Sequence, residues 1–243
     1  LPTLFRSDQA RTVLREVKLL KEMASNQGKE MTGPLHIGLI PTVGPYLLPY
    51  IVPTLKETFP DLEVFLYEAQ THQLLEQLET GRLDCAIVAR VPETEAFIEV
   101  PIFDEKMLLA VSDQHPWASE SKIAMNTLKG QEMLMLDDGH CLRNQALDYC
   151  FTAGAKEDSH FQATSLETLR NMVAANAGIT FMPELAVLNE GTRAGVKYIP
   201  CHSPEPARTI ALVYRPGSPL RNRYERVANA ISEQVKSILA NKK

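Results

Sequence analysis

From Gly33 onward the chain switches repeatedly between two hydrophobic periods, and that alternation constrains its fold more than any other feature. PLHIGLI (34–40), LEVFLYEA (62–69) and LDCAIVAR (83–90) are short apolar runs of strand type. Between them lie GPYLLPYIVPTLKETFP (44–60), a helical segment that Pro53 is placed to kink, and THQLLEQLETG (71–81), a shorter helix with Thr71 at its cap and Gly81 at its end. A strand can regain a parallel neighbour only through a long crossover, so this order predicts βαβ units and a parallel sheet. The first half therefore reads as an α/β unit.

The second half repeats the alternation in another order. Two extended segments, 97–103 and 106–112, lead into it. Residues 132–137 read as a strand, Cys141 to about Cys150 as a helix, 160–164 as a strand, and 165–178 as a helix ended by Gly178. A short strand (179–183), a short helix (184–190), two more strands (196–201 and 209–215) and a long amphipathic helix (220–240) complete the chain. No fixed-period repeat or low-complexity tract separates the halves. Two lobes sharing an intertwined chain are expected, rather than two independent domains.

Ahead of Gly33, Leu1 to Ser7 lack periodicity and read as a cloning or linker remnant. From Asp8 to about Ser25, Val13, Val17, Leu20 and Met23 recur at helical spacing, and Asn26 and Gly28 end the helix. Its apolar stripe needs a cover, supplied either by its own domain or by a dimerisation or linker contact.

Charge and cysteine content narrow the function classes. The 243 residues carry 25 Lys and Arg against 30 Asp and Glu, a net charge of −5 with no basic cluster, which argues against a phosphate-dominated nucleic-acid interface on this chain. No apolar run approaches the ~20 residues of a membrane span, and no export signal opens the sequence, so a cytoplasmic placement without a membrane partner is expected. Four cysteines are too few for a disulfide scaffold. In a reducing compartment any disulfide among them would be regulatory.

Two of the four have a chemical context. Cys141 stands where a strand ends and a helix begins, within DDGHCLRN (137–144), where free N–H groups and the positive end of the helix dipole favour a thiolate. His140 and Arg143 are close enough in sequence to help, while Asp137 and Asp138 oppose the effect unless they point away. Cys150 follows nine residues later, a rise of about 13.5 Å and a rotation of about 900° on a helix, so the two thiols lie on opposite faces. A disulfide needs Cα atoms within about 4.4–6.8 Å, so pairing requires the helix to melt or move. Taken alone, Cys150 between Tyr149 and Phe151 also reads as a small buried hydrophobe, and Cys85 and Cys201, in or beside apolar strands, read as structural. The spacings of His140, Cys141, Cys150, His160 and His202 match no zinc site, so no metal is expected, and Cys-x-x-Cys is absent.

The segments GHCLRNQALDYCFTAGA, GPLHIGLIPTVGPYLLP, EAQTHQLLEQLETGRLDCAIVA and TSLETLRNMVAANAGITFMP resemble the regulatory domains of the OxyR family, the hydrogen-peroxide sensors among LysR-type transcription regulators. The resemblance runs from about Asp8 to the C-terminal helix, and the stretch around the two cysteines is its most specific part. It implies two Rossmann-like α/β lobes of the type 2 periplasmic-binding-protein-like fold behind an N-terminal linker helix (8–28), with lobe I formed by 29–104 and 209–243 and lobe II by 105–208. It implies that Cys141 is oxidised by peroxide to a sulfenic acid and that Cys150 resolves it to a disulfide. Thr42 and Thr71 match the hydroxyls that orient peroxide between the lobes, Gly139, His140 and Leu142 match the loop around the thiol, and Arg208 matches the basic residue favouring thiolate. On local signals alone Thr42 is a turn residue, Thr71 a cap, and His140 and Arg208 ordinary surface or paired residues. Asn144 departs from the family pattern, which has an aspartate there, and removes a charge three residues from Cys141.

The implied function is that of a redox-switched transcription activator's sensor, not an enzyme and without a cofactor. Its partners are hydrogen peroxide, further copies of itself as homodimer or homotetramer, a thiol reductant, and DNA and RNA polymerase only through the full-length protein with its winged helix-turn-helix. The alternatives are a LysR-type domain that binds a metabolite, with incidental cysteines, and a thiol peroxidase using the same two residues.

Overall fold

The computed structural model describes residues 30–188 and 195–240, with Val13 and Val17. Apart from those two valines, which are helical and exposed, the N-terminal remnant and linker helix read from the sequence lie outside the described residues. By its internal contacts the chain divides into two compact units, Leu1–Ile40, Leu47–Phe103 and Ile210–Lys243 on one hand and Pro41–Tyr46 and Asp104–Thr209 on the other. Both are α/β.

In the first unit β1 (Gly33–Leu39) pairs in parallel with β2 (Leu62–Glu68) on one side and β3 (Cys85–Ala89) on the other. Helices α1 (Gly44–Thr58) and α2 (Thr71–Glu79) make the crossovers. Leu47, Ile51 and Leu55 bury one stripe of α1, while Pro49 and Pro53 face outward, and the helix continues as one element through both. The cap of α2 differs from the sequence reading. Gln70 is the N-cap and Thr71 the first helical residue, with the Gln73 side chain accepting the Gln70 N–H at 3.3 Å.

The chain passes from the first unit into the second along β4 (Ile98–Ser112), one strand where the sequence shows two segments. The acidic break at Asp104-Glu105 interrupts hydrophobicity but not the backbone, because Phe103, Glu105, Met107 and Leu109 all occupy the buried register. Next, β5 (Glu132–Leu136) runs through α3 (Cys141–Ala153) into β6 (Lys156–Ala163), which returns parallel to β5. Helix α3 is three residues longer than read, ending at Gly154 in the left-handed region (φ 77°), and β6 starts four residues earlier than read. In α4 (Leu166–Ala174) the Ser165 Oγ caps the Thr168 N–H at 3.2 Å, and the helix stops short of Gly178 in a turn through Asn176 (φ 59°). Strand β7 (Thr180–Pro183), the single turn α5 (Glu184–Val187) and strand β8 (Val196–Ile199) follow, and both strands lie antiparallel to β4.

The chain then returns to the first unit along β9 (Ala207–Tyr214), antiparallel to β3 from Ile210 to Tyr214, and ends in α6 (Arg221–Ala240). Val227, Ile231 and Val235 give α6 a buried stripe. Arg223 is buried on the same helix, and its guanidinium donates to the carbonyls of Glu30, Thr32 and Pro34, so backbone dipoles replace water around the charge.

Candidate functional site

Helix α3 carries both cysteines of interest, and its wheel separates them. Leu142, Ala146 and Cys150 recur every four residues and, with Leu147, enter the apolar core of the second unit. Cys141 is half a turn away from Cys150 on the wheel, at the first helical position. All four cysteines of the chain are free thiols and all are buried. With α3 intact, the nine-residue rise of about 13.5 Å keeps Cys141 and Cys150 far outside disulfide range.

The approach to Cys141 depends on one glycine. Gly139 adopts φ 96°, a conformation side chains rarely accept, and so lets β5 turn into α3 within four residues. His140 is the N-cap, and no side chain caps the helix, so the first-turn N–H groups are not occupied by a competing side-chain oxygen. The first turn also holds no acidic residue, Asn144 being neutral. His140, Cys141 and Leu142 are all buried. Asp137 Oδ1 lies 3.1 Å from His140 Nε2, and Asp138 Oδ1 lies 3.4 Å from Arg143 Nε, so each carboxylate opposing a thiolate has a basic neighbour. The expectation that Arg143 assists the thiol is not what its bonds show. Its guanidinium donates to both oxygens of Glu157 on β6, at 2.7 and 2.8 Å, and ties the start of α3 to that strand.

Cys150 is in a different situation. It is fully buried, its Sγ–H donates to Met133 Sδ at 3.0 Å, and burial pushes its thiol up to about 12. A protonated core thiol is a poor nucleophile for as long as it stays in this environment.

Arg208 and Thr42 meet within the second unit. The Arg208 guanidinium donates to Thr42 Oγ1 at 2.9 Å, to the Thr42 carbonyl at 3.1 Å and to Glu105 Oε2 at 2.7 Å. Glu105 also accepts the Leu185 N–H at 3.1 Å. Arg208, expected to favour a thiolate, is thus in a buried ion pair whose charge Glu105 balances. The sequence reading missed Glu105, although a carboxylate in the inward register of an alternating strand already requires a buried cation. Thr71 belongs to the first unit, and its buried Oγ1 has no hydrogen-bond partner among the described residues. Among those residues no group of three or more His, Cys, Asp or Glu is placed to hold a metal ion, and no helix is long and apolar enough to cross a membrane.

Comparison with known proteins gives consistent relatives. The model of the LysR substrate binding domain matches residues 28–236. The hydrogen peroxide-inducible genes activator of Haemophilus influenzae is 91% identical over 232 residues, which are 96% of this chain and 77% of the relative. Crystal structures of the oxidised and reduced forms of OxyR both superpose with a TM-score of 0.79, at 64% and 61% identity, covering 85% of this chain and 98% and 97% of those chains.

Proposed function

The chain belongs to the LysR substrate-binding domain family, in its OxyR branch of hydrogen-peroxide-inducible activators, and we propose that it senses peroxide through Cys141 and Cys150. The Cys141 thiolate attacks one oxygen of hydrogen peroxide, the O–O bond breaks, hydroxide leaves, and Cys141 becomes a sulfenic acid. The Cys150 sulfur then attacks the Cys141 sulfur. The S–O bond breaks, the S–S bond forms, and the Cys150 proton leaves with the hydroxyl as water.

The observation that carries this reading is the placement of two free thiols on one helix, Cys141 at its uncapped start and Cys150 in the core. In that arrangement, disulfide formation and refolding are one event, because the bond cannot form while α3 stands. Hydroxyls of Thr42 and Thr71 orient the peroxide, Gly139, His140 and Leu142 shape the turn around the thiol, and Arg208 fixes Thr42. The refolded segment alters contacts between copies in a homodimer or homotetramer, and the full-length cytoplasmic protein conveys the change to DNA and RNA polymerase. A cellular dithiol returns two electrons and resets the switch. Consumption of one oxidant per signal makes this a regulator rather than a peroxidase.

Thiol titration tests the reading. One equivalent of hydrogen peroxide is expected to remove two thiols, and Cys141→Ser is expected to abolish that loss. Unchanged thiol counts in the parent, or loss undiminished in Cys141→Ser, overturn it. Sustained peroxide turnover with excess dithiol at peroxidase-like rates would make it an enzyme instead.

A further inference from the structure

Within the second unit, helix α3 is fastened to the start of β9 at a point one residue from Cys150. The Tyr149 hydroxyl donates to the Ala207 carbonyl at 2.9 Å and accepts the Ala207 N–H at 3.2 Å. A single side chain thus completes both backbone hydrogen bonds of a residue 58 positions away. Ala207 opens β9, and the next residue, Arg208, holds Thr42 and Glu105.

The surroundings make this clasp matter. Beside it the outer face of α3 is not packed. A cavity of about 790 Å³ separates Gln145, Asp148 and Thr152 from the loop of His202, Ser203 and Pro204. Where apolar packing is missing, fixed hydrogen bonds carry a larger share of what holds a helix in place. The cavity also gives a released side chain room to move.

We propose that Tyr149 is a positioning residue of the peroxide response, whose clasp on Ala207 holds α3 folded in the thiol state and opens before Cys150 reaches the oxidised Cys141. This rests on the disulfide reading above. Bringing Cys150 from a rise of about 13.5 Å to within about 6.8 Å of Cys141 requires relative movement of at least roughly 6.7 Å and refolding of the residues between them. Tyr149 is the last of those residues, so its backbone torsions change and the two-bond geometry is lost. The clasp lies on the second step only. The attack of Cys141 on peroxide takes place at the other end of the helix and leaves Tyr149 bonded.

The test uses Tyr149→Phe, which keeps the ring and removes only the hydroxyl. After one equivalent of hydrogen peroxide, sulfenic acid is followed by trapping with dimedone, and disulfide by alkylation and mass. The expected result is a first step unchanged within about twofold and a disulfide step accelerated roughly fivefold to thirtyfold, the range for losing one or two net hydrogen bonds. The thiol–disulfide equilibrium against a dithiol buffer shifts toward disulfide by a similar factor. Generalised destabilisation would not produce that split between steps. In the reduced parent the Ala207 amide is protected from hydrogen exchange, and in Tyr149→Phe that protection falls. Equal protection in both proteins, or an unchanged second step and equilibrium while the parent forms its disulfide normally, overturns the clasp. A parent that forms no disulfide instead overturns the two-cysteine reading and the clasp with it.

Discussion

Cys85 on β3 and Cys150 on α3 are both fully buried thiols that burial holds protonated, yet the proposed switch uses only Cys150. Cys85 lies in a strand bonded on both sides, to Ile37 of β1 and Tyr214 of β9. Releasing it would break the sheet of the first unit. Cys150 lies on a 13-residue helix whose own hydrogen bonds are internal and whose ties elsewhere are few and nameable, among them Arg143 to Glu157 and Tyr149 to Ala207. A helix can be dismantled without opening its neighbours' backbone ladders, whereas a central strand cannot. Burial alone therefore does not decide which cysteine the proposed switch uses. What decides is the cost of removing the element that buries it.

That contrast can be broken most sharply by serine substitution. Cys150→Ser is expected to abolish the disulfide while leaving peroxide attack at Cys141 intact. Cys85→Ser is expected to form the disulfide at the parental rate but to lose about 1–3 kcal/mol of stability, since a buried hydroxyl there lacks a designed partner. Urea denaturation and alkylation of the same samples check both. If Cys85→Ser also blocks disulfide formation, the division between the two regions fails.

A smaller effect tests the rigidity of the first unit. A Cβ on Gly38, which pairs with Ala86 next to Cys85, would come within 2.6 Å of side-chain carbons of both Leu74 and Leu83. Gly38→Ala is expected to cost about 1–3 kcal/mol in urea denaturation and to leave disulfide formation unchanged. Smaller again, Glu157→Gln weakens the bidentate tie at the start of α3. It is expected to speed disulfide formation up to about fivefold in quenched-flow alkylation, the equivalent of about 1 kcal/mol for a partly buried charged hydrogen bond.

The smallest effect at neutral pH concerns titration. The Cys150 thiol, ordinarily at 9.0, is pushed up to about 12 in the folded state by burial. A pKa raised on folding gives stability that is complete below the unfolded value and is lost as pH rises toward the folded one. The reduced protein is therefore expected to lose stability from about pH 9 upward. Cys85 moves in the same direction, with burial the main cause and Asp84 adding to it. Cys150→Ala and Cys85→Ala should each flatten that alkaline decline in urea denaturation, with no difference between parent and variant in this slope near pH 7.

Much of α3 was legible in sequence because a helix places its residues by a local rule. The four-residue recurrence of Leu142, Ala146 and Cys150 and the half-turn offset of Cys141 follow from 3.6 residues per turn. The stop was not legible: the helix was expected to end near Cys150, and Gly154 ends it three residues later with φ 77°. The readings that failed were those governed by distant partners. Glu105 was invisible as a site residue until Arg208, 103 positions away, supplied the cation, and Arg143, close enough in sequence to help the thiol, is bonded to Glu157 instead. Thr71 was placed at a cap one residue too late because Gln70 and Gln73 share that task.

By itself the amino-acid sequence determined the alternation of strands and helices, the α/β class, the position of Cys141 at a helix start and the inability of Cys141 and Cys150 to meet across an intact helix. These depend on periods and rises that repeat over a few residues. Tertiary structure alone decided which charges neutralise each other, that Arg208 holds Thr42 and Glu105, and that Tyr149 fastens α3 to Ala207. Such pairings join residues that the chain brings together only after its sheets have formed, and no local period specifies them.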